Sequence, residues 1–423
     1  MKQTLLFILP NLQGGGAERS LVNLLQLMDY ERFAVDLLLF QPSGMFLTQL
    51  PPQVRLCTDQ QALQALYHPA RARGLPLPRR LGYSAARLLG TGASRLLRGR
   101  GARGKQFRWQ AFYSRLIPPL PLRYDVAVAY LQGEPLYYLT EKVQAARKVA
   151  WLHNEYPKTG LDAGFDLPHY RRVDQVVTIT QACAQGWRAQ FPALQDKLCV
   201  LPNLTSADTV RRMADAGTAP ELDSAQPNLV SIGRLHPQKG FDLAIETARV
   251  LRARGVAFQW YILGTGTLHK ALREHARRAG VACCVHFLGS RRNPYPYLKA
   301  ADVVVQPSRF EGRSIVLDEA KILAKPILAT AYATVGDQLT AQEGLTVPMT
   351  PEALADGILH MLAHGQAYAA YLRTQPYGNA GAVAAHLALL GAPPKAAVGR
   401  HSREQGSAPE GNAPPSPDGQ VTP

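Results

Sequence analysis

At 423 residues the chain is long enough for two domains or three, each with its own core, since domains usually run about 100–200 residues. Hydrophobic residues at 46% and charged residues at 18% exclude wholesale disorder and fibrous repeats. Lysine and arginine number 47 against 31 acids, a net charge of +16.

Lys2–Leu9 is apolar and β-favouring, and it predicts a first strand rather than a secretory leader, because NLQGGGAER follows where a small-residue cleavage site would stand. The glycine loop leads into leucines at helical spacing over Ser20–Met28, and Phe33–Phe40 predicts a second strand. No run approaches the ~20 apolar residues of a membrane-spanning helix.

The interval between Asp59 and Asp125 contains no acid but thirteen cations, from Arg71 to Arg123 and including Arg95, Arg98, Arg100 and Arg103. Its arginines alternate with leucines and with Phe107, Trp109, Phe112 and Tyr113, which suits a surface lying against anionic lipid headgroups with the aromatics inserting. Gly90, Gly92, Gly99 and Gly101 argue against a single continuous helix there. A solvated basic loop is the plainer alternative, and nucleic acid is not expected because no nucleic-acid motif accompanies the patch.

Asp125–Leu131, Lys148–His153 and Gln175–Thr180 are short buried runs of the kind parallel sheets use. Ser206–Pro227 has little apolar periodicity and predicts a linker. A second series follows, with strand-like runs at Leu229–Gly233, Phe258–Gly264, Val285–Gly289, Asp302–Gln306, Pro326–Thr330 and Gly344–Pro348 separated by helical stretches. The fold class is therefore α/β, with two doubly wound parallel sheets. From Pro393 the chain is rich in Pro, Gly and Ser and predicts a disordered tail. Five cysteines without a C-x-x-C pair suggest neither a disulfide framework nor a zinc site, and a reducing cytoplasm is the expected compartment.

Four features occur in order in the second series: Gly233-Arg234 with Lys239-Gly240, then Gly264-Thr265-Gly266, then Glu311, then Glu319. Arg234 and Lys239 follow a strand end, where arginine can grip a diphosphate bidentately and lysine adds a point charge. Gly264 and Gly266 permit close approach of a ligand, an ordinary turn being the plainer reading. Glu311 is expected at the mouth of a helix entered at Ser314, with Glu319 about two turns inside. None of the seventeen aspartates are two apart, so an Asp-x-Asp metal clamp is missing.

The set GRLHPQKGFD, ILGTGTL, HFLGS, ADVVVQPSRFEGRSIVLDEA and KPILAT resembles the nucleotide-sugar domain of retaining glycosyltransferases of family 4, which have the GT-B fold. NLQGGGAERSL resembles that family's acceptor-domain glycine loop, and YLQGEPLYYLTEKVQAARKVAWLHNEYPK is similar to members that build capsular or extracellular polysaccharides. The resemblance implies an acceptor-binding domain over 1–205 with the basic insertion 71–123, a linker over 206–227 and a nucleotide-sugar domain over 228–372. It further implies a helix over 373–392 returning to the first domain, ahead of the tail 393–423.

On the same ground Arg234 and Lys239 would neutralise the leaving diphosphate, Glu311 would bind hydroxyls of the transferred sugar, and His153 would face it. Gly15, Gly16, Gly233, Gly264, Gly266, Arg291, Ser314, Ile315 and Glu319 would bind the donor, Glu319 through the ribose. The expected donor is a UDP-sugar ahead of a GDP-sugar, with no cofactor and no metal. The expected acceptor is lipid-linked or a glycan, at the inner face of the plasma membrane. Many members carry Phe-Gly-Leu-Pro where this chain has Arg313-Ser314-Ile315-Val316, which leaves a non-catalytic nucleotide-sugar-binding scaffold as the alternative. A sugar-nucleotide epimerase is disfavoured by the glycine loop and the Glu-x7-Glu order.

Overall fold

The computed structural model describes residues 2–391, apart from positions 14, 59, 69–73, 100, 224 and 379. The tail expected to be disordered lies outside the described residues, as do Arg71, Arg73 and Arg100. A first sheet contains β1 (Gln3–Leu9), β2 (Phe33–Leu39), β3 (Arg55–Cys57), β4 (Arg123–Ala129), β5 (Gln144–Leu152), β6 (Gln175–Thr178) and β7 (Leu198–Val200), ordered β3-β2-β1-β4-β5-β6-β7. A second contains β8 (Asn228–Ile232), β9 (Gln259–Leu263), β10 (Val285–Gly289), β11 (Val303–Gln306), β12 (Ile327–Thr330) and β13 (Leu345–Val347), ordered β10-β9-β8-β11-β12-β13.

Every pairing is parallel. Strand order reverses where β1 meets β4 and where β8 meets β11, and a doubly wound sheet opens a crevice at its carboxyl edge at such points. Both faces of each sheet are covered. Along β1 the side chains of Leu5, Phe7 and Leu9 enter one core and those of Leu6 and Ile8 the other. That two-sided burial is why the strand is an unbroken apolar run.

Two expectations about the chain path are corrected. Residues 206–227 are not a plain linker: Ser206 caps the helix Ala207–Asp215, whose Val210 and Ala214 are buried against the second sheet. Two apolar residues four apart make too faint a stripe to read, and the cap was the legible signal. Within the basic interval Gly90 and Gly92 do not interrupt a helix, whereas Gly99 and Gly101 do, as the C-cap of one helix and the N-cap of the next. Leu77–Arg98 is one 22-residue helix, and it packs on a helical run made of Ala102–Arg108, a wide turn Trp109–Tyr113 and Ser114–Leu116.

Gly90 is one place where the two pack closely. A Cβ there would stand 3.2 Å from Arg108 Cγ and 3.3 Å from Phe112, so close packing offsets the roughly 1 kcal/mol propensity cost of a glycine within a helix. The aromatics expected at the surface lie inside: Trp109 and Tyr113 are buried, Phe107 and Phe112 half-buried, and Trp109 Nε1 donates to Glu141 at 3.2 Å.

Past the second sheet, the helix Pro351–Thr374 covers it through Leu354, Ala355, Ile358 and Met361. The helix Ala380–Gly391 then lies on the first sheet, with Leu390 in its core and the carbonyls of Leu389 and Leu390 accepting from Arg147 and Gln3.

Candidate active site between the sheets

The loops after β8, β9 and β11 form one wall. Gly240, at φ +65°, ends the turn after β8, and a Cβ there would fall 1.9 Å from the Pro307 carbonyl oxygen, so only glycine brings the β8 and β11 loops together. Lys239 is thereby set beside the β11 loop. Its stem passes over Gly233, whose missing Cβ would lie 3.1 Å from Lys239 Cδ, and its Nζ donates to Glu311 Oε1 at 2.6 Å.

Ser308 Oγ (2.6 Å) and Gln306 Nε2 (3.1 Å) donate to the same oxygen, and Gln238 Nε2 reaches Oε2 at 3.3 Å. Glu311 is 6% exposed, and four donors hold its carboxylate in a single orientation. Arg234 is exposed and makes no ion pair among the described residues.

Gly264 and Gly266 face backbone rather than open space. Cβ atoms on them would stand 1.9 Å from the Gly233 carbonyl oxygen and 2.3 Å from that of Leu235, so they let the β9 loop lie flat on the loop carrying Arg234. Arg291 is engaged elsewhere, bonded to Glu221 at 2.6 Å and to the Tyr297 hydroxyl at 3.0 Å.

The helix Ile315–Ile322 starts beside this cluster. Ser314 N–H donates to Gln338 Oε1 at 3.0 Å, while Ser314 Oγ is buried and meets no hydrogen-bond partner among the described residues. Glu319 is the fifth residue of this helix, a little over one turn inside rather than two, because the helix begins only after Ser314. Burial pushes its pKa up to about 7, against Arg19 and the Tyr295 hydroxyl, which donates to it at 2.9 Å. Arg313 turns to Asp318 in a two-pronged pair of 2.8 and 2.9 Å and leaves the Glu311 cluster undisturbed.

The opposite wall comes from the first sheet. Gly16 opens the helix Gly16–Gln26, and a Cβ on it would lie 3.8 Å from Ile315 Cδ1, so two helix N-termini face each other across the cleft. Gly15 leaves space for Glu18, whose Oε2 would be 2.1 Å from a Cβ there. Burial raises the Glu18 pKa, while its own amide, the Arg234 charge and the Gly15 amide pull it down.

His153 follows β5, buried beside Tyr130 with ring centroids 4.9 Å apart and with neither ring nitrogen at hydrogen-bond geometry. Burial pushes its pKa down to about 3, outweighing Asn203 and the Tyr130 backbone, so the imidazole is neutral at physiological pH. The walls touch: a Cβ on Gly312 would stand 2.0 Å from the His153 carbonyl oxygen. Arg19 also spans the cleft, its guanidinium 4.1 Å from the Phe46 ring centre and 5.7 Å from that of Tyr295.

Sequence reasoning had singled out Lys239, Glu311, Glu319, Ser314, Gly16 and His153, which line these walls, but not Gln238, Gln306, Ser308, Tyr295, Glu18 or Arg19. The run Gln306-x-Ser308-x-x-Glu311 and the acid–base pair directly after the glycine loop were readable signals. Tyr295 arrives from a separate short helix, Tyr295–Ala300, and had none.

Residues 226–364 match a family model described as glycosyl transferases group 1. Among curated relatives, the amylovoran biosynthesis glycosyltransferase AmsK of Erwinia amylovora is 27% identical over 150 residues, 33% of this chain and 36% of AmsK. The lipopolysaccharide core biosynthesis glycosyltransferase LpsE of Rhizobium meliloti is 30% identical over 169 residues, 39% of this chain and 46% of LpsE. The chain spans 41% and 52% of the length of two further curated relatives. Among solved structures, Anabaena HepE in complex with UDP and glucose superposes with a TM-score of 0.61 at 18% identity, covering 90% of this chain and 94% of HepE. Residues 226–364 are thus similar to a group 1 glycosyltransferase domain, and the chain as a whole has the GT-B fold.

Proposed function

We propose that this cleft transfers a sugar, with retention and without a metal ion, from a nucleoside-diphosphate sugar to a lipid-linked or polysaccharide acceptor, at the cytoplasmic face of the membrane. The observation that carries the reading is the Lys239–Glu311 cluster at the carboxyl edge of β8 and β11, placed between two opposed helix N-termini and beside Arg234, which makes no ion pair among the described residues. Two cations and the positive ends of two helices suit a diphosphate, and they act where charge develops as the anomeric carbon–oxygen bond breaks. Glu311 is oriented for the sugar hydroxyls and Glu319 for the ribose. The acceptor oxygen bonds to the anomeric carbon on the face the diphosphate leaves, and its proton passes to the departing phosphate oxygen.

His153 stays neutral and can only donate or accept a hydrogen bond, and the close Gly312–His153 approach would shield the reacting face from water. Structures similar to this one hold UDP and UDP-glucose, which supports a UDP-sugar ahead of a GDP-sugar. Because Arg313 is tied to Asp318, the departure at Arg313–Val316 gives the non-catalytic alternative no support. The test is a thermal-shift panel of UDP, GDP and dTDP sugars followed by a transfer assay. A ligand at ~100 times its Kd stabilises by roughly 2.7 kcal/mol. Stabilisation by UDP-sugars is expected, and no shift with any nucleotide would overturn the reading.

A further inference from the structure

The helix Leu77–Arg98 is built inside out. Its buried residues are small, Ala86, Gly90 and Ser94, stacked four apart on the side facing the body of the protein. Its leucines point to solvent: Leu77, Leu81, Leu88, Leu89, Leu96 and Leu97 are each at least 60% exposed. Eight of the ten exposed large hydrophobics among the described residues fall between Leu77 and Leu122, so the feature is local rather than a general property of the surface. At 3.6 residues per turn, Leu77, Leu81, Leu88, Leu89 and Leu96 share a sector of about 120°, opposite the small-residue face. A contiguous apolar face of this kind marks a surface that meets another phase or partner.

We propose that this leucine face inserts into the interfacial layer of an anionic lipid membrane, with the helix lying in the bilayer plane. Charge chooses the occupant. Arg79, Arg80, Arg95 and Arg98 are exposed on the same helix without an ion pair among the described residues, and residues 60–124 hold no carboxylate. A second copy docking face to face would set these arginines against their own images, with no acid to pair them. Headgroup phosphates give each a counter-charge while the acyl region takes the leucines. No helix among the described residues is long and apolar enough to cross a membrane, and an in-plane pose suits a face that is apolar on one side only.

The placement bears on the cleft. Arg108, packed against Gly90, bonds Glu134 at the start of the helix after β4, and Gln106 bonds Asp166 and the Asp162 carbonyl after β5. The anchor therefore rests on the same sheet edge that carries His153, which sets the acceptor side of the cleft close to the lipid surface. This inference rests on the membrane placement proposed above for the identity of the acceptor, but insertion itself is read without turnover.

The test uses the full chain and vesicles of phosphatidylcholine alone or mixed with phosphatidylglycerol. Wild type is expected to float with the anionic vesicles and to remain largely bound in about 1 M salt, where the Debye length falls to ~3 Å. A variant with Leu81, Leu88, Leu89 and Leu96 changed to Gln is expected to bind at least about tenfold more weakly and to be released by salt. Its UDP-induced thermal shift should match that of wild type.

Leu88→Trp supplies a reporter against four fully buried native tryptophans, and its emission should move to the blue and be quenched by brominated lipid. Undiminished, salt-sensitive binding of the leucine variant would overturn insertion while leaving a purely electrostatic membrane surface. A wild-type dimer in sedimentation velocity that the leucine variant dissolves would overturn it in favour of a second copy. Flotation with neither vesicle would overturn both this inference and the membrane placement, whereas the nucleotide shift tests the donor site separately.

Discussion

The two walls of the cleft are built on opposite terms. The second-sheet wall is polar and fully engaged, with Lys239, Gln306, Ser308 and Gln238 converging on one buried carboxylate. The first-sheet wall offers a neutral imidazole under an aromatic ring, glycine backbone and a helix N-terminus. Lys239 and Arg234 of one half are expected to carry the leaving charge, while the other half is expected to add a helix N-terminus, shape and closure.

The largest effect should come from breaking the charged wall. Lys239→Ala is expected to lower kcat by about 10²–10³, the usual cost of removing one pre-set charge or donor from a developing anion. It also strips Glu311 of its ion-pair partner, so the thermal midpoint should fall, and Arg234→Ala should lower kcat comparably without that loss because Arg234 is exposed. Transfer assays with UDP-glucose as the probe donor, run beside melting curves, separate the two, and near wild-type turnover in both variants would remove the diphosphate role.

Closure is tested by Gly312→Ala. Its new methyl would collide with the His153 carbonyl, and a displacement near 1 Å at a reacting centre can cost about 10²-fold in rate. Transfer should drop while UDP binding is retained; unchanged transfer would show that the walls do not meet during turnover.

A smaller, pH-dependent effect is expected at Glu319. Its folded pKa of about 7 exceeds the ordinary value of 4.5, so the apo protein keeps a proton there that the unfolded chain loses. This contribution to stability is fully present below pH 4.5 and declines as pH rises toward 7. Ribose hydroxyls would favour the ionised form, so UDP affinity should rise from pH 6 to pH 7.5, and Glu319→Gln should flatten the trend in calorimetry. His153→Gln should alter kcat only modestly and leave no limb near pH 6.5, since His153 does not titrate there. Last, EDTA should leave the rate unchanged; a loss restored only by magnesium or manganese would show that the two cations do not suffice.

In the polar wall Lys239 and Glu311 were legible because each lies in a short motif at a strand end, whereas their partners Gln238, Gln306 and Ser308, in the same motifs, were passed over. The first-sheet wall was less legible. His153 and Gly16 could be placed at the ends of strands, but the cross-cleft partners Arg19 and Tyr295 are joined only by the folding of both sheets. The basic interval shows a different limit. Composition told of arginine interleaved with leucine and aromatics, yet the helix over Leu77–Arg98 and the face it turns inward were decided by Gly90 and Ala86 fitting closely against Phe112 and its neighbours, a matter of volume rather than pattern.

The helix Ala380–Gly391 gives the molecule a second crossing between its halves, the first being the stretch after β7. Two bodies joined by one tether can swivel and twist freely about it, whereas two tethers side by side define an axle. Opening of the cleft would then be restricted to a door-like swing about that axle, with the Gly312–His153 contact as its closed position. Proteolytic nicking between Thr374 and Ala380 would leave both sheets folded yet let the door hang from a single pin.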